Sequence, residues 1–300
     1  MSATLDLGRL GVWGHLDTLS AEEVQDYVAR VEELGFGTLW VPETVGREPF
    51  SLLGMVAGGT SSLLLGTSIA SIWGHDAQTT RMAALTLQEA SAGRFVLGLG
   101  VSHPHLAERL RGHTFDQPLT RMREFLAAYR SAVYKGPMSD GAPDPPILLA
   151  ALRERMLRLA ATEADGAFPY LVTTERVAWT RSVLDEASPD RRPVLAVSMP
   201  AVLSTDPAVA RASARAYLAP YLRTPTYHAS WEQQGFTEAD WAKPGSDRLV
   251  DSMVAWGDAE ALHGRIAGFV EAGADHVAVI PLSEDGTTEN LDVLEAMASP

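Results

Sequence analysis

The hydrophobic positions of the chain fall into two alternating patterns. Short runs of apolar and β-branched residues recur along it, and longer segments with apolar residues at helical spacing lie between them. This alternation is typical of βα units that form a parallel sheet covered by helices. The run Val96–Val101 lacks polar side chains, as expected of a strand buried on both faces. We predict eight strands, at Arg9–Trp13, Thr38–Pro42, Leu63–Ala70, Phe95–Val101, Ile147–Ala151, Gly166–Tyr170, Val194–Pro200 and His276–Pro281.

The segments between these strands predict amphipathic helices, because each parallel strand needs a right-handed crossover to reach the next one. The first helix opens at Ser20, which forms a capping box with Glu23, and Gly35 ends it. The other predicted helices span Thr79–Ala92, Pro118–Tyr134, Arg155–Ala164, Thr174–Ala187, Asp206–Leu218 and Asp258–Ala272. Eight strands with such helices predict an α/β fold of the (β/α)8, or TIM-barrel, class.

Two stretches depart from this alternation. The Pro- and Gly-rich segment Gly136–Pro146 predicts a surface loop and makes a poor domain boundary. Residues 220–257 are longer than a simple connection needs, and they predict a helical insertion over the barrel mouth, before the last strand. The aromatic residues of this insertion could line a substrate pocket or pack against the outer helices. We therefore expect a single domain over residues 1–300.

Composition narrows the possible partners. With 46% hydrophobic and 21% charged residues, the 300-residue chain can bury a sizeable core. Its formal net charge of -14 argues against binding to nucleic acid or to an anionic membrane, which both attract clustered Lys and Arg. No basic segment precedes an apolar run at the N-terminus, and no apolar stretch reaches the roughly 20 residues that span a bilayer, so we expect a cytoplasmic protein. The absence of cysteine excludes disulfides and thiolate chemistry.

Polar and aromatic residues follow the predicted strands at their carboxyl ends. In a (β/α)8 barrel these ends form the rim that carries the active site. Four of the eight strands run out into such residues, so we expect their side chains to converge at one rim. The segments concerned are Trp13-Gly14-His15, Glu43-Thr44, Ser68 to Trp73 and Ser102-His103-Pro104-His105.

Several other catalytic motifs fit poorly. A metal hydrolase on this barrel would need a His-x-His pair after the first strand, and Trp13-Gly14-His15 lacks it. His103-Pro104-His105 has the spacing but no obvious third ligand, so we predict no metal site. Gly98-Leu99-Gly100 has His103 where a dinucleotide fingerprint has its third glycine. The sequence contains no Gly-x-Ser-x-Gly elbow.

Several segments resemble one known family. Residues 65–69 (Leu-Gly-Thr-Ser-Ile), 83–87 and 91–100 (Ser-Ala-Gly-Arg-Phe-Val-Leu-Gly-Leu-Gly) are similar to the signature of the bacterial luciferase-like superfamily, and most of all to its coenzyme F420-dependent branch. The opening Gly-Val-Trp, residues 33–43 and residues 272–277 extend the resemblance over most of the chain. The resemblance implies a barrel with a flavin-type ring bound at its mouth.

The resemblance also implies roles for individual residues near that ring. In the family a non-prolyl cis peptide bulges behind the ring, and the matching bond is Ser68–Ile69. Glu43 matches a position where relatives often place an acid, and Trp13 and Ser71 join the expected cofactor-binding residues. Thr44 stands where some sugar-phosphate dehydrogenases of the group carry a histidine, which argues against glucose-6-phosphate chemistry.

His103 is the other candidate catalytic residue, beside Glu43. Relatives place a glutamate or histidine in this loop, near the reactive face of the ring. A histidine there can exchange a proton near neutral pH, as a redox step coupled to protonation requires. The alternative interpretation is a hydrogen-bonded loop histidine with a structural role.

Two segments match the part of the family that binds the cofactor's phosphate, at the helix starts after strands five and six. Ala151, Leu152 and Arg153 form the first, although Arg153 replaces a usual glycine. The second comprises Tyr170, Leu171, Thr173 and Thr174, and its hydroxyls could instead simply cap the following helix.

The resemblance therefore implies an oxidoreductase that moves a hydride between coenzyme F420 and a small alcohol, carbonyl compound or activated alkene. An FMN-dependent monooxygenase is one alternative, and a flavin-binding protein without turnover is another. The family usually forms homodimers through the helices after strands two and three. Phe50–Ala57 and Thr79–Ala92 would form that interface, unless their apolar residues belong to the core of the subunit.

Overall fold

The computed structural model describes residues 5–137 and 144–298. Its strands are β1 (Leu10–Trp13), β2 (Thr38–Val41), β3 (Leu64–Thr67), β4 (Ala70–Ser71), β5 (Phe95–Gly100), β6 (Ile147–Leu149), β7 (Gly166–Ala167), β8 (Val194–Leu203), β9 (Ala255–Gly257) and β10 (His276–Pro281). Its α-helices are α1 (Ala21–Glu33), α2 (Pro49–Ala57), α3 (Ala77–Ala90), α4 (Pro118–Ser131), α5 (Glu154–Glu163), α6 (Thr174–Ala187), α7 (Pro207–Leu218), α8 (Pro225–Glu232), α9 (Glu238–Trp241), α10 (Asp247–Met253), α11 (Ala259–Glu271) and α12 (Leu291–Ala298).

Eight parallel strands close into a barrel. The order β10-β1-β2-β3-β5-β6-β7-β8 returns to β10, which pairs with both β1 and β8. Val12 of β1, for example, is in register with Val279 on one side and Leu39 on the other. Helices connect successive strands, so the predicted TIM barrel is confirmed. All eight predicted strands form it.

The third strand is interrupted at its carboxyl end, contrary to the continuous strand predicted over Leu63–Ala70. It stops at Thr67, and the Ser68–Ile69 peptide bond is cis, as the family resemblance implied. The short strand β4 follows and continues the pairing of β3 with β5, with Ala70 opposite Leu99. The break turns the chain at the barrel mouth, where the site lies.

The predicted insertion over residues 220–257 is not entirely helical. It contains α8, α9 and α10, and it ends in β9, which pairs with residues 201–203 of β8. β8 therefore runs three residues beyond its predicted end at Pro200. The hydrophobic pattern did not reveal this extra pairing, because β9 is only three residues long. The helices α2 and α12 were also not predicted as elements, and the centre of the predicted loop Gly136–Pro146, residues 138–143, lies outside the described residues.

The ends of the predicted helices agree with the structure within a few residues. α6 spans Thr174–Ala187, as predicted. At the start of α1, the Ser20 hydroxyl accepts from the Glu23 amide while the Glu23 carboxylate accepts from the Ser20 amide, 2.7 Å away. The predicted capping box is therefore confirmed, and the buried stripe of the helix packs against the barrel. Its members are Val24, Tyr27, Val28 and Val31.

Part of the segment expected at a dimer interface packs inside the subunit instead. The apolar side chains of α2 at Phe50, Leu52, Leu53 and Val56 are buried, which agrees with the alternative that they belong to the core. On α3, by contrast, Met82 is half exposed. The homodimer stays a prediction.

A buried histidine joins three parts of the barrel. His276 opens β10, and its Nε2 accepts a hydrogen bond from the Trp40 indole at 2.9 Å. Its Nδ1 therefore carries the hydrogen and donates to the Gly8 carbonyl at 2.7 Å. Burial lowers the pKa of His276 to about 4. The imidazole is neutral at pH 7, because protonated Nε2 would face the Trp40 N–H.

This arrangement predicts loss of stability in acid. The unfolded chain protonates His276 below its ordinary pKa of about 6.5, whereas the folded chain resists protonation until about pH 4. The free energy of unfolding should therefore fall by about 2 kcal/mol through this group between about pH 7 and pH 5. Urea unfolding at both values, compared with His276→Gln, isolates the contribution because other groups titrate equally in both proteins. An identical pH dependence in the variant would contradict this prediction.

Candidate active site

A cavity of about 1100 Å³ opens at the carboxyl ends of the barrel strands. This is the rim where the sequence predicted the site, because the loops after parallel strands meet there. The lining is mostly apolar and aromatic. It comes from the segments after β1, β2, β3, β5, β6 and β7, from Trp179 on α6, and from the insertion between Pro220 and Gln233.

Nine of the predicted site residues line this cavity. The structure brings together residues that the sequence spreads over more than 150 positions, from the end of β1 to the end of β7. They are Trp13, Glu43, Ser68, Ile69, His103, Ala151, Leu152, Arg153 and Tyr170. The Trp13 indole also donates to the Ser68 carbonyl at 3.0 Å, which ties the end of β1 to the cis peptide.

The other four predicted residues lie behind the cavity wall. The Ser71 amide donates to the Glu43 carboxylate at 2.8 Å, and Leu171 is buried with its carbonyl accepting from Trp231. The Thr173 hydroxyl accepts from the Arg176 amide and so caps α6, and Thr174 is the first residue of that helix. The Thr173 amide donates to the Gln234 side chain at 2.8 Å. This geometry agrees with the capping interpretation of the second segment.

Glu43 is held by ionic contacts at the cavity edge. Its side chain is only 6% exposed, and it pairs with the Arg111 guanidinium and with His75 Nε2 at 3.5 Å. The hydrogen bond to Glu43 raises the pKa of His75, which favours the imidazolium form. The carboxylate also lies so close to Gly74 that any side chain there would overlap it. Glu43 therefore contacts both Arg111 and His75, and its oxygens order the loops of the mouth.

His103 lies in the loop directly after β5. Ser102, just before it, has a left-handed backbone with φ of 53°, which turns the chain out of the strand. The ring of His103 stacks on that of His105, with 5.9 Å between centroids, and lies 5.3 Å from the ring of Tyr227. Within the described residues its buried Nδ1 has no hydrogen-bond partner.

The environment of His103 sets its protonation state. Burial lowers its pKa to about 4, and the neighbouring His105 acts in the same direction. The imidazole is therefore neutral at pH 7 and can accept a proton. The missing Nδ1 partner does not support the alternative of a histidine fixed by hydrogen bonds in its loop.

An uncapped helix start faces the same cavity. Arg153 is the N-cap of α5, and no side chain caps the free amides that follow it. Arg153 and Arg155 both line the cavity beside these amides. Arg176 supports the turn by donating to the Leu152 carbonyl at 2.6 Å, and its guanidinium stacks 3.6 Å from the centre of the Trp179 ring. The helix start and the two arginines together favour an anionic group.

Three tyrosine hydroxyls meet at the wall formed by β7 and the insertion. Tyr170 hydrogen bonds to Tyr217 and, at 3.0 Å, to Tyr221. The ring of Tyr170 lies 5.6 Å from Trp13, and that of Tyr221 lies 5.2 Å from Tyr227. The hydrophobic pattern of the sequence did not predict this cluster, although the aromatic-rich insertion was a signal for it. Both interpretations of the insertion hold in part, because Tyr221 and Tyr227 line the cavity whereas other members, such as Trp231 and Phe236, pack in the core.

Two further properties limit the chemistry. No group of three or more His, Asp or Glu side chains in the described part of the chain could hold a metal ion. Within residues 5–137 and 144–298, none of the helices is long and apolar enough to cross a bilayer.

Comparisons with known proteins agree with this geometry. A family model described as luciferase-like monooxygenase matches residues 1–276. A Mycobacterium tuberculosis protein that is provisionally named as a coenzyme F420-dependent oxidoreductase is 27% identical, over 93% of this chain and 96% of that protein.

Solved structures share the fold. An F420-dependent secondary alcohol dehydrogenase in complex with an F420-acetone adduct superposes with a TM-score of 0.77 over 98% of both chains, at 14% identity. The oxygenating constituent of 3,6-diketocamphane monooxygenase from Pseudomonas putida, a type II Baeyer-Villiger monooxygenase in complex with FMN, has a TM-score of 0.73 at 16% identity, over 97% of this chain and 96% of that one.

Proposed function

Because this chain belongs to the luciferase-like monooxygenase family, we propose that it is an oxidoreductase that binds coenzyme F420 at the barrel mouth and moves a hydride between it and a small organic substrate. One observation carries this proposal. A single large cavity contains the Ser68–Ile69 bulge, the neutral His103 and the uncapped start of α5. These features suit a flat ring, a proton acceptor and an anionic side chain in one site.

The size of the cavity supports binding of a deazaflavin ring together with a substrate. Its volume of about 1100 Å³ slightly exceeds the range of roughly 300–1000 Å³ that is usual for small-molecule pockets. Ile69 and Trp13, joined through the Ser68 carbonyl, form an apolar wall for the ring.

The chain's own residues position the reactants and handle the proton. The coenzyme supplies hydride transfer when bound, and the protein provides orientation and electrostatics. When a bound alcohol loses a hydride, its hydroxyl must also lose a proton, and neutral His103 can accept it. Glu43 is held between Arg111 and His75, so we assign it the role of positioning the loops next to the ring.

We assign the cofactor's phosphate and acidic tail to the start of α5. Arg153→Ala and Arg155→Ala should each weaken F420 binding about tenfold, because each removes a charged hydrogen-bond donor beside the free amides at the start of α5. Arg123→Ala is the matched control, since Arg123 is an exposed arginine of α4 that pairs with Glu163 outside the cavity. Fluorescence titration with F420 measures all three variants. Wild-type affinity for F420 in both cavity variants would contradict the assignment of the phosphate to the start of α5.

Retention of the coenzyme during purification tests the proposal as a whole. The protein is expressed in a bacterial host that makes both F420 and FMN, and the molecules that copurify are identified by mass spectrometry. We expect F420 to be retained. Retention of FMN alone would favour the alternative, an FMN-dependent monooxygenase. The near full-length similarity to the M. tuberculosis protein supports F420 over FMN.

A further inference from the structure

The residues Tyr170, Tyr217 and Tyr221 are here called the tyrosine triad. Their three hydroxyl groups carry three hydrogens, which is one more than the hydrogen bonds among them need. Tyr170 is the central member and hydrogen bonds to both others. Two hydrogen bonds consume two of the three hydroxyl hydrogens. One hydrogen therefore stays available at one of the three oxygens. Tyr170 and Tyr221 line the cavity, whereas Tyr217 lies behind them.

The surroundings of the triad are aromatic and uncharged. Burial raises the pKa of Tyr170, Tyr217, Tyr221 and Tyr227, and their other electrostatic interactions are with one another. The hydroxyls are therefore neutral, and none of these interactions involves a charged side chain. Successive ring contacts continue this wall from Trp13 through the tyrosines to His103. Such a wall suits an uncharged, apolar substrate.

We propose that the tyrosine triad binds the oxygen atom of an apolar, uncharged carbonyl substrate, or of the corresponding alcohol. This inference rests on the proposed function, and it names the substrate class and the residues that hold its reacting oxygen. The spare hydrogen at Tyr221 donates to a carbonyl oxygen. The same hydrogen can donate to a lone pair of the alcohol oxygen, so that the alcohol's own hydrogen stays free to pass to His103.

A single hydroxyl donor can therefore recognise both members of an alcohol and ketone pair. The hydrogen bonds within the triad stay the same in both cases, because ketone and alcohol oxygens both accept from the spare hydrogen. Tyr217 acts as a positioning residue, since it terminates the chain without contact to the cavity. Hydrogen bonds placed in an apolar wall discriminate strongly between substrates, because an unpaired buried hydroxyl is costly.

Two probes of nearly equal shape test the triad. Acetophenone carries a carbonyl group where α-methylstyrene carries a CH2 group, so only acetophenone can accept the hydrogen bond. We expect Tyr221→Phe to weaken acetophenone binding about five- to tenfold and to leave α-methylstyrene binding unchanged. Tyr217→Phe should weaken acetophenone binding by a smaller factor. Tyr27→Phe, which removes a buried hydroxyl of α1 far from the cavity, should change neither affinity.

The outcomes separate the possible interpretations. Equal loss of both probes in Tyr221→Phe would show a packing role and overturn the proposal, as would saturable binding of neither probe to the wild-type protein. If Tyr221→Phe does not fold, Tyr217→Phe alone must show the selective loss. The titrations are run without coenzyme, so selective ketone binding supports the triad even if the protein fails to bind F420, and failure of the triad leaves the coenzyme assignment intact.

Discussion

Gly98→Ala is expected to lower the free energy of unfolding by about 4 kcal/mol or more, and so to leave little folded protein. Gly98 lies in β5, and a Cβ atom there would overlap the Thr67 carbonyl oxygen and lie 3.0 Å from the carbonyl carbon. The Thr67 hydroxyl also bridges to Gly98, accepting from its amide at 2.9 Å and donating to its carbonyl at 2.7 Å. Both Thr67 carbonyl atoms belong to the backbone, so they cannot rotate away as a flexible side chain could. β3 and β5 must therefore move apart to make room for the Cβ atom.

The same substitution in an open helix position provides the control. Gly264 is exposed in α11, and a Cβ atom there would meet nothing within 4 Å. Gly264→Ala should therefore raise the free energy of unfolding by about 0.5–1 kcal/mol through helix propensity. Urea unfolding followed by circular dichroism measures both variants. A Gly98→Ala protein as stable as wild type would show that β3 and β5 can move apart at the barrel mouth, contrary to the packing described here.

His103→Gln is expected to lower kcat/KM for F420-dependent oxidation of 1-phenylethanol about 100-fold. The variant keeps a polar side chain of similar size but cannot accept a proton at neutral pH. Because the folded pKa of His103 is about 4, the wild-type protein should keep the active, neutral imidazole at neutral pH and lose activity as the pH falls through about 4.

His113→Gln is the control for this experiment. His113 packs against Trp73, 5.8 Å between ring centres, and does not line the cavity. Its replacement should leave kcat/KM within about twofold of wild type, since it removes only an outer contact. Wild-type activity of His103→Gln would show that another group accepts the proton and would favour a structural role for His103 in its loop.

The barrel could be predicted because its signals are local. The hydrophobic strand at residues 96–101 and the capping box of Ser20 and Glu23 depend on residues that are neighbours in the chain. The cis peptide at Ser68–Ile69 was predicted through the family resemblance alone. The hydrophobic pattern predicted an unbroken strand there, since it does not report peptide geometry.

The site was predicted less completely, because its side chains meet across long sequence separations. Arg111 follows a π-helical turn at Leu106–Leu110 and reaches Glu43, 68 residues away. The Thr173 amide donates to the side chain of Gln234, 61 residues away, and is therefore not free to bind a phosphate. Nothing in the local pattern around any of these residues indicates its partner. The tyrosine triad likewise joins the end of β7 to residues about 50 positions later.

Titration of the purified protein with oxidised F420 and, separately, with FMN determines whether the cavity at the barrel mouth is an F420 site. Quenching of cofactor fluorescence reports occupancy of the cavity at the barrel mouth. We expect saturable binding of F420 at micromolar concentration or below, with much weaker binding of FMN. Binding of FMN alone would contradict the coenzyme assignment and favour a monooxygenase, and binding of neither would contradict a cofactor site in this cavity while leaving the barrel fold intact.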